Sequence, residues 1–287
     1  MARVFVTGGS GYIGRALLEH LADRGDTVSA LARSDAAAAV VRERGATPVH
    51  GDLTDLALLK QAAARADAVV HLGAAGQDTA AVDLAAATAL QAGAGSDPYV
   101  HTGGLWVYGT TDGVADEDAP LAPPALTAWR VDNERRVLDS AATGAHPVVV
   151  MPGIVYGHAR GLVQSTLVDA AREHDAVQYP GDGANHWALV HVDDLADLYV
   201  RALGAPAGGR YLAVSENIAV ADIARALGRA PGNPGRVESV PVAAFADRFG
   251  LLAEALLLDQ RLTSGRARAD LGWSPSHTDA VAELARG

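Results

Sequence analysis

The residues with the clearest chemical potential form a glycine-rich segment near the N-terminus. Gly8, Gly11 and Gly14 recur at intervals of 3 and directly follow a short apolar run. Glycine permits a tight turn and close backbone approach to phosphate, and the N-terminus of a following helix adds N–H donors. The segment therefore predicts a dinucleotide site formed by Gly8, Gly9, Ser10, Gly11, Tyr12, Ile13 and Gly14.

The end of the second predicted strand bears on which dinucleotide would bind. A carboxylate there would hold ribose hydroxyls, whereas the sequence has Arg33 followed by Ser34. Arginine pairs with a 2′-phosphate that a carboxylate would repel. We expect NADP(H), with NAD(H) as the alternative; a solvated surface role for Arg33 is the competing interpretation.

The charged residues and the absence of cysteine exclude several classes of protein. The net charge is -11 and the 287 residues contain no cysteine. An acidic chain does not favour nucleic-acid or anionic membrane partners, and thiolate nucleophiles, disulfides and Cys-based zinc sites are excluded. We expect a cytoplasmic protein with a small-molecule substrate. No metal site is expected, because the histidines and acids lack ligand spacing.

The elements that must position these residues alternate between short apolar runs and Ala/Leu-rich stretches of helical length. This rhythm predicts an α/β fold, a Rossmann doubly wound parallel sheet with its ligand crevice at the carboxyl ends of the strands. The predicted strands are 3–7, 27–32, 47–50, 68–72, 99–102 and 148–151. The predicted helices are 12–24, 36–44, 56–65, 82–92 and 126–142.

Glycine and proline break this rhythm after about residue 155. We expect residues 1–155 to form the dinucleotide-binding domain, with 190–203 returning to it. Residues 156–189 and 204–287 would form a smaller substrate-binding lobe.

Several motifs besides the glycine turn occur in a recognisable order along the chain. They are Gly51-Asp52-Leu53, Val70–Ala74, Trp106–Gly109, Met151–Gly157, Val190–Leu195 and Leu271–Pro275. Together they resemble the extended, NAD-dependent epimerase/dehydratase-like branch of the short-chain dehydrogenase/reductases. Members of that family often form dimers, so a homodimer is compatible with the resemblance.

The resemblance implies roles for residues beyond the glycine turn. It places Asp52 and Leu53 at the adenine, and Leu72, Gly73 and Ala74 along the pyrophosphate and ribose. It places Pro152, Gly153, Ile154 and Val155 beside the nicotinamide. Asp52 could instead cap the helix that begins near Leu56.

The chemistry of the family normally needs a Ser or Thr, a Tyr, and a Lys four residues after that Tyr. The resemblance puts Gly104 at the serine, Trp129 at the tyrosine and Asn133 at the lysine. Lys60 is the single lysine of the chain, so the pair cannot be completed elsewhere. Asn133 could still hydrogen-bond a ribose. An indole N–H cannot serve as the acid.

Other groups are candidates to assist the reaction. Thr102 ends a predicted strand at the crevice, and His186 lies in a predicted loop over the substrate. Both are predicted to contribute to catalysis, although Thr102, which would also contact the cofactor, could equally satisfy local backbone. Tyr108 and His191 are more typical of packing.

Three tryptophans fall near the predicted crevice and suggest the kind of substrate. Trp106, Trp129 and Trp187, with Gly104, Tyr156 and His186, are predicted to form an aromatic substrate pocket. We therefore predict NADPH-dependent reduction of a ketone on a bulky aromatic or polycyclic natural product, with proton delivery assisted by the substrate or by water.

The composition, rich in Ala, Gly and Arg, is typical of actinobacteria. The chain also resembles atypical reductases that modify polyketides of the angucyclinone type. Two alternatives stay open. One is a sugar-nucleotide epimerase or dehydratase, which the missing Tyr-Lys base weakens. The other is a regulator that binds NADP(H) and catalyses nothing.

Overall fold

The centre of the fold is a parallel sheet, and most of its strands come from the first half of the chain. The computed structural model describes residues 1–168, 171 and 174–287. Within these, seven strands pair in parallel in the order β3-β2-β1-β4-β5-β7-β11. The strands are β1 (Arg3–Thr7), β2 (Thr27–Ala32), β3 (Thr47–His50), β4 (Ala68–His71), β5 (Pro98–Thr102), β7 (His146–Pro152) and β11 (Gly209–Ala213).

Alternating side chains of β1 explain why helices cover both faces of this sheet. Val4 and Val6 contribute to one core, and Phe5 contributes to the other. A strand buried on both sides is continuously apolar, and a doubly wound sheet requires that pattern.

The covering helices separate into two layers. On one face α1 (Tyr12–Asp23) packs against α6 (Val192–Ala202), with α2 (Asp35–Glu43) beside them. On the other face lie α3 (Leu56–Ala63), α4 (Thr79–Ala94) and α5 (Ala128–Asp139). The chain leaves β1 toward β2 and later returns to β4 on the opposite side, so the crevice opens between the carboxyl ends of β1 and β4.

The predicted fold class is confirmed, and one predicted boundary is wrong. Strand β11 pairs with β7, from Gly209 beside Val148 to Ala213 beside Pro152. Residues 209–213 therefore belong to the central sheet and not to the smaller lobe. The prediction missed this strand because Gly209 and Arg210 make its first half polar or small; the apolar signal is limited to Tyr211, Leu212 and Ala213.

The smaller part of the molecule packs on the carboxyl end of the sheet. Its strands form three small sheets, β12-β10-β8, β13-β9 and β14-β6. These strands are β6 (Val114–Ala115), β8 (Ile154–Tyr156), β9 (Val177–Pro180), β10 (His186–His191), β12 (Glu216–Ala219), β13 (Val237–Val240) and β14 (Arg261–Leu262). Its helices are α7 (Val220–Arg229), α8 (Val242–Phe249), α9 (Leu251–Leu256), α10 (Gly265–Leu271) and α11 (Ala280–Arg286). The predicted lobe segment 156–189 also includes residues 169, 170, 172 and 173, which lie outside the described residues.

No helix among the described residues has the length and apolar character needed to span a membrane.

Candidate active site

The glycine turn joins β1 to α1 and leaves the start of α1 open. Gly8 adopts a φ of +74°, and a Cβ at this position would lie 2.8 Å from the carbonyl carbon of Leu72. A Cβ on Gly14 would lie 2.1 Å from the Gly8 oxygen. These contacts explain why glycine is needed where the turn meets β4 and where α1 packs on the turn. Gly11 precedes α1 without a side-chain cap, so the first N–H groups of the helix remain available to an anion.

A groove of about 580 Å³ runs from this turn along the ends of β2 and β4. Among the predicted cofactor residues it is lined by Gly8, Ser10, Gly11, Arg33, Asp52, Leu53, Leu72, Gly73 and Ala74. Gly9 and Ile13 have packing roles, because a Cβ on Gly9 would lie 2.9 Å from that of Ala30 and Ile13 packs on the core. The groove thus brings together four separated segments that were predicted to bind one dinucleotide.

Two polar residues at the far end of the groove have local partners. The Asp52 carboxylate accepts hydrogen bonds from the Thr54 amide at 2.7 Å and the Thr54 hydroxyl at 2.6 Å, and these bonds lower the pKa of Asp52. Ser34 is the N-cap of α2 and accepts from the Ala37 amide at 3.2 Å. Arg33 is exposed, and the ion pairs of the described residues do not include it.

A second cleft of about 450 Å³ opens where β7 and β8 meet α5. Its lining includes Pro152, Gly153, Ile154 and Val155 on one side. On another side lie Gly104, Trp106, Leu126, Trp129 and Arg130. The Tyr12 ring also borders it, and the Tyr12 hydroxyl donates to the Gly157 oxygen at 2.8 Å. This cleft is mostly apolar and has a single charged side chain, Arg130, among its lining residues.

Of the two residues of α5 predicted at the Tyr and Lys positions, Trp129 lines the cleft and Asn133 does not. Asn133 lies at the interface with α4, where its amide donates to the Ala80 oxygen and the Asp83 carboxylate, each at 2.9 Å. It is 5% exposed and is therefore placed away from the cleft rather than against a ribose. Leu126, just before α5, and Arg130 are the two cleft-lining residues separated by four positions. The spacing of the expected Tyr and Lys is therefore present on the cleft wall at Leu126 and Arg130, with neither residue type.

Arg130 is the charged residue that sequence analysis missed. Its guanidinium lies 4.6 Å from the centre of the Trp129 ring and donates to the Thr102 oxygen at 3.2 Å. A Cβ on Gly104 would lie 3.6 Å from the Arg130 side chain. That distance is an ordinary van der Waals contact, so Gly104, predicted at the serine position, lies directly beside the Arg130 side chain. The Trp129 indole donates to the Leu126 oxygen at 3.2 Å, which fixes its ring on the cleft wall.

The Thr102 hydroxyl is hydrogen-bonded to other residues of the protein. It bonds the His71 oxygen and the Tyr199 hydroxyl, both at 2.8 Å. Thr102 is half-buried, and its carbonyl oxygen, not its hydroxyl, meets Arg130. These bonds replace the predicted contact of Thr102 with substrate and cofactor.

Three predicted substrate residues belong to other parts of the molecule. Trp187 is 2% exposed, packs in the core of the smaller part and donates to the Leu256 oxygen at 2.9 Å. Tyr156 is fully buried in the same core. His186 bonds the Asp259 carboxylate at 2.9 Å and lies in a different surface depression, beside Asn217. The structure therefore assigns Trp187 and Tyr156 to packing and His186 to a hydrogen bond with Asp259. Trp187, which was predicted to line the crevice, is buried because β10 is buried at every position after His186.

A cluster of buried polar side chains lies at the ends of β4 and β5, beside the Gly73 loop. His71 and His101 are neighbours on β4 and β5, and their Nε2 atoms face the Asp83 carboxylate at 3.6 and 3.7 Å. The His71 Nδ1 bonds the Thr7 hydroxyl at 2.6 Å, and the Thr7 hydroxyl oxygen accepts from the Gly73 amide at 3.1 Å. These distances exceed those of hydrogen bonds, and burial lowers the pKa of His101 to about 3. Through the Thr7 hydroxyl the cluster is connected to the Gly73 loop.

These features define a class of protein: a Rossmann-fold protein whose dinucleotide groove leads into a substrate cleft at the switch point of the sheet. A family model described as the NAD dependent epimerase/dehydratase family matches residues 4–214. The chain belongs to this family, as its motifs predicted. Family membership and relatives indicate an NAD(P)-dependent enzyme of the oxidoreductase or epimerase type.

Individual relatives extend over most of the chain. An uncharacterized protein of Saccharomyces cerevisiae is 32% identical over 300 residues, covering 98% of this chain and 97% of the relative. A 4-hydroxy-2-methyl-3-oxo-4-farnesyl-3,4-dihydroquinoline-1-oxide ketoreductase of Stigmatella aurantiaca is 32% identical, covering 59% and 55% respectively. The fold is similar to that of a dTDP-glucose 4,6-dehydratase from Bacillus anthracis in complex with NAD, with a TM-score of 0.80 at 17% identity and coverage of 99% and 94%.

Proposed function

We propose that this protein uses NADPH to reduce a ketone on a bulky aromatic compound, without a Ser-Tyr-Lys triad. The observation that carries the proposal is the composition of the second cleft. Trp106 and Trp129 supply aromatic walls, and Arg130 supplies its single charge. A flat apolar substrate with one polar carbonyl fits such a lining better than a sugar does.

The groove has the features that a dinucleotide needs. The open N-terminus of α1 and the backbone around Gly8, Gly11 and Gly73 would hold the pyrophosphate, since side chains are missing where the chain must approach closely. Arg33 would pair with a 2′-phosphate on the adenosine ribose. Pro152 to Val155 would form the wall beside the nicotinamide, which, when bound in its reduced form, supplies a hydride.

The residues of the cleft can perform the remaining tasks of a reduction. Trp106 and Trp129 would orient the substrate ring, and their apolar surface would exclude water from the reacting carbon. The Arg130 guanidinium would stabilise the negative charge that develops on the carbonyl oxygen. The proton would then reach that oxygen from the substrate itself or through water.

Two relatives support ketone reduction. The relative from Stigmatella aurantiaca is named as a ketoreductase of a fused bicyclic substrate, and one from Stenotrophomonas maltophilia is named 2-alkyl-3-oxoalkanoate reductase at 27% identity. We extend the ketone chemistry, not these particular substrates, to this chain. Tailoring of an aromatic polyketide of the angucyclinone type is the natural-product role that we propose for it.

Sugar-nucleotide epimerisation or dehydration is the family alternative. Those reactions begin by oxidising a hydroxyl, which requires a base at its proton. Among the described residues, the side chains that line the cleft include no carboxylate, imidazole or amine that could take this proton directly. The cleft composition therefore favours reduction.

The test is a titration followed by turnover. Purified protein should bind NADPH, and adding phenanthrenequinone, a polycyclic aromatic dicarbonyl, should cause loss of NADPH absorbance. A matched variant, Trp129→Ala, should raise KM for this probe and leave NADPH binding unchanged. Binding of NADPH without turnover across a broad panel of aromatic ketones would instead indicate a regulator that senses the cofactor.

A further inference from the structure

Glu134 is a buried carboxyl group beneath the floor of the second cleft. It lies one helical turn after Arg130 on α5 and is 3% exposed. A Cβ on Gly103 would lie 2.7 Å from its Oε1 atom. Gly103 and Gly104 both line the cleft. Backbone without side chains is therefore what separates this carboxyl from the space where a substrate would lie.

The Oε1 atom of Glu134 has no hydrogen-bond partner within the described residues. A buried carboxylate oxygen without a donor is costly, so the protonated form is favoured unless a donor is supplied. An unpartnered polar atom beside a glycine floor points toward the cleft as the place where its partner would be, a water molecule or a substrate group.

The charged groups around Glu134 come from several elements. Arg130 on α5, Arg210 on β11 and a hydrogen bond from the Gly104 amide favour its charged form, while Asp83 on α4 opposes it. Tyr108 packs from the short helix 105–108 and is raised in pKa by burial, to about 12. Burial is the largest effect, and it raises the pKa of Glu134 to about 7. The group can therefore exist in both forms near neutral pH.

We propose that Glu134 is the proton reservoir of this site, releasing a proton through water at the Gly103–Gly104 floor to the substrate oxygen beside Arg130. The inference rests on the ketone reduction proposed above and names the source of its proton. Glu134 acts through water and Arg130, so it is a positioning and proton-holding residue.

The step balances with the reductant already named. Hydride from the reduced nicotinamide forms a C–H bond at the carbonyl carbon, and the π electron pair of the C=O bond moves to oxygen. That oxygen forms an O–H bond with a water proton. The O–H bond of Glu134 breaks, its electron pair stays on the carboxylate, and the proton replaces the one that the water gave. Arg130 and Arg210 stabilise the carboxylate until solvent protonates it again.

The main experiment measures single-turnover oxidation of NADPH with phenanthrenequinone as a function of pH. In the wild type, the rate should fall as pH rises through about 7, because the protonated form of Glu134 is lost. Glu134→Gln should lower the rate at neutral pH by about 100-fold and remove this pH dependence. NADPH affinity should be unchanged, since Glu134 lies outside the groove.

Glu117→Gln is the matched control. Glu117 is likewise buried with its pKa raised by burial, but it accepts a hydrogen bond from the Leu212 amide at 3.2 Å. This variant should keep the wild-type rate and pH profile. A Glu134→Gln enzyme with the wild-type rate and profile would overturn the inference and leave ketone reduction standing.

A second readout does not depend on turnover. Infrared difference spectra between about pH 5.5 and about pH 8.5 should show a buried carboxylic acid that deprotonates near neutral pH and is missing in Glu134→Gln. If the wild type reduces no ketone, the proposed function fails, whereas this spectrum still decides whether Glu134 holds a proton. Absence of that band would overturn the inference on its own.

Discussion

Arg33 is the residue on which the choice between the two dinucleotides depends. It is exposed at the mouth of the groove, directly after β2. Arg33→Asp should weaken NADPH binding about 10- to 100-fold, because a charge-assisted pair with phosphate is lost and repulsion replaces it. NADH affinity should change little. Fluorescence titration with both cofactors measures the difference.

The control for this change is Arg42→Asp, which alters the same net charge on the exposed side of α2. It should leave both affinities near their wild-type values. Equal weakening of NADPH and NADH by Arg33→Asp would contradict the assignment of Arg33 to the 2′-phosphate.

Gly103 and Gly104 are neighbours that should differ in how well they tolerate an added side chain. A Cβ on Gly103 would lie 2.7 Å from the Glu134 Oε1 atom and 3.0 Å from the Met151 Cγ atom, whereas one on Gly104 would contact Arg130 at 3.6 Å. Gly103→Ala should therefore destabilise the fold by about 1–3 kcal/mol, and Gly104→Ala should cost less. Urea unfolding of the two variants compares them directly. Similar losses of stability would mean that Glu134 can move away without cost.

At the scale of elements, helix α5 shows both the strength and the limit of prediction from sequence. Its existence was predicted from its apolar spacing, and the observed span 128–139 lies within the predicted 126–142. Which of its side chains face the cleft did not follow fully from the sequence. Trp129 does reach the cleft, but Asn133 faces α4 because Asp83 and the Ala80 carbonyl oxygen supply its hydrogen bonds. Those partners lie about 50 positions earlier in the chain, so local spacing carries no signal for them.

Two double variants test which positions, four residues apart, present their side chains to the cleft. Leu126→Tyr with Arg130→Lys should place a phenol and an ammonium four residues apart on the cleft wall, since both native residues line it. The ammonium should lower the pKa of the introduced phenol below its usual value of about 10, and phenanthrenequinone reduction should become at least about 10-fold faster. Ultraviolet titration and turnover measure the two effects.

Trp129→Tyr with Asn133→Lys is the comparison pair. Its lysine would lie at a position that is 5% exposed and next to Asp83, away from the cleft. This pair should gain neither the shifted phenol nor the faster turnover. If this pair alone gained both properties, the side chains at 129 and 133 would be the ones that act in the cleft, and those at 126 and 130 would not.

At the scale of the whole molecule, six of the seven strands of the central sheet and the doubly wound fold followed from the sequence, while the surroundings of single side chains did not. The glycine turn and the apolar runs are local, and each reports its own element. The burial of Trp187 depends on strands β8 and β12 on either side of β10. The Arg130 guanidinium is held at the cleft by the Thr102 carbonyl oxygen and the Trp129 ring. Contacts of this kind are made between distant segments and become visible in the folded chain.

The raised pKa of Glu134 also makes the stability of the whole fold depend on pH. Its folded-state pKa of about 7 exceeds the ordinary value of 4.5. The stabilisation that goes with the neutral form is therefore complete below about pH 4.5 and is lost as pH rises to about 7. The difference corresponds to about 3 kcal/mol, since one pKa unit is worth about 1.4 kcal/mol.

Glu134→Gln should remove this contribution, because glutamine stays neutral. Relative to the wild type, the variant should gain stability progressively between about pH 4.5 and about pH 7, up to about 3 kcal/mol. Urea unfolding at several pH values measures the gain, and Glu43→Gln, an exposed change on α2, should show none. A constant difference between Glu134→Gln and the wild type across this range would mean that Glu134 is ionised in the folded protein throughout. It would then hold no proton for the cleft, so the same measurement tests the fold and the chemistry together.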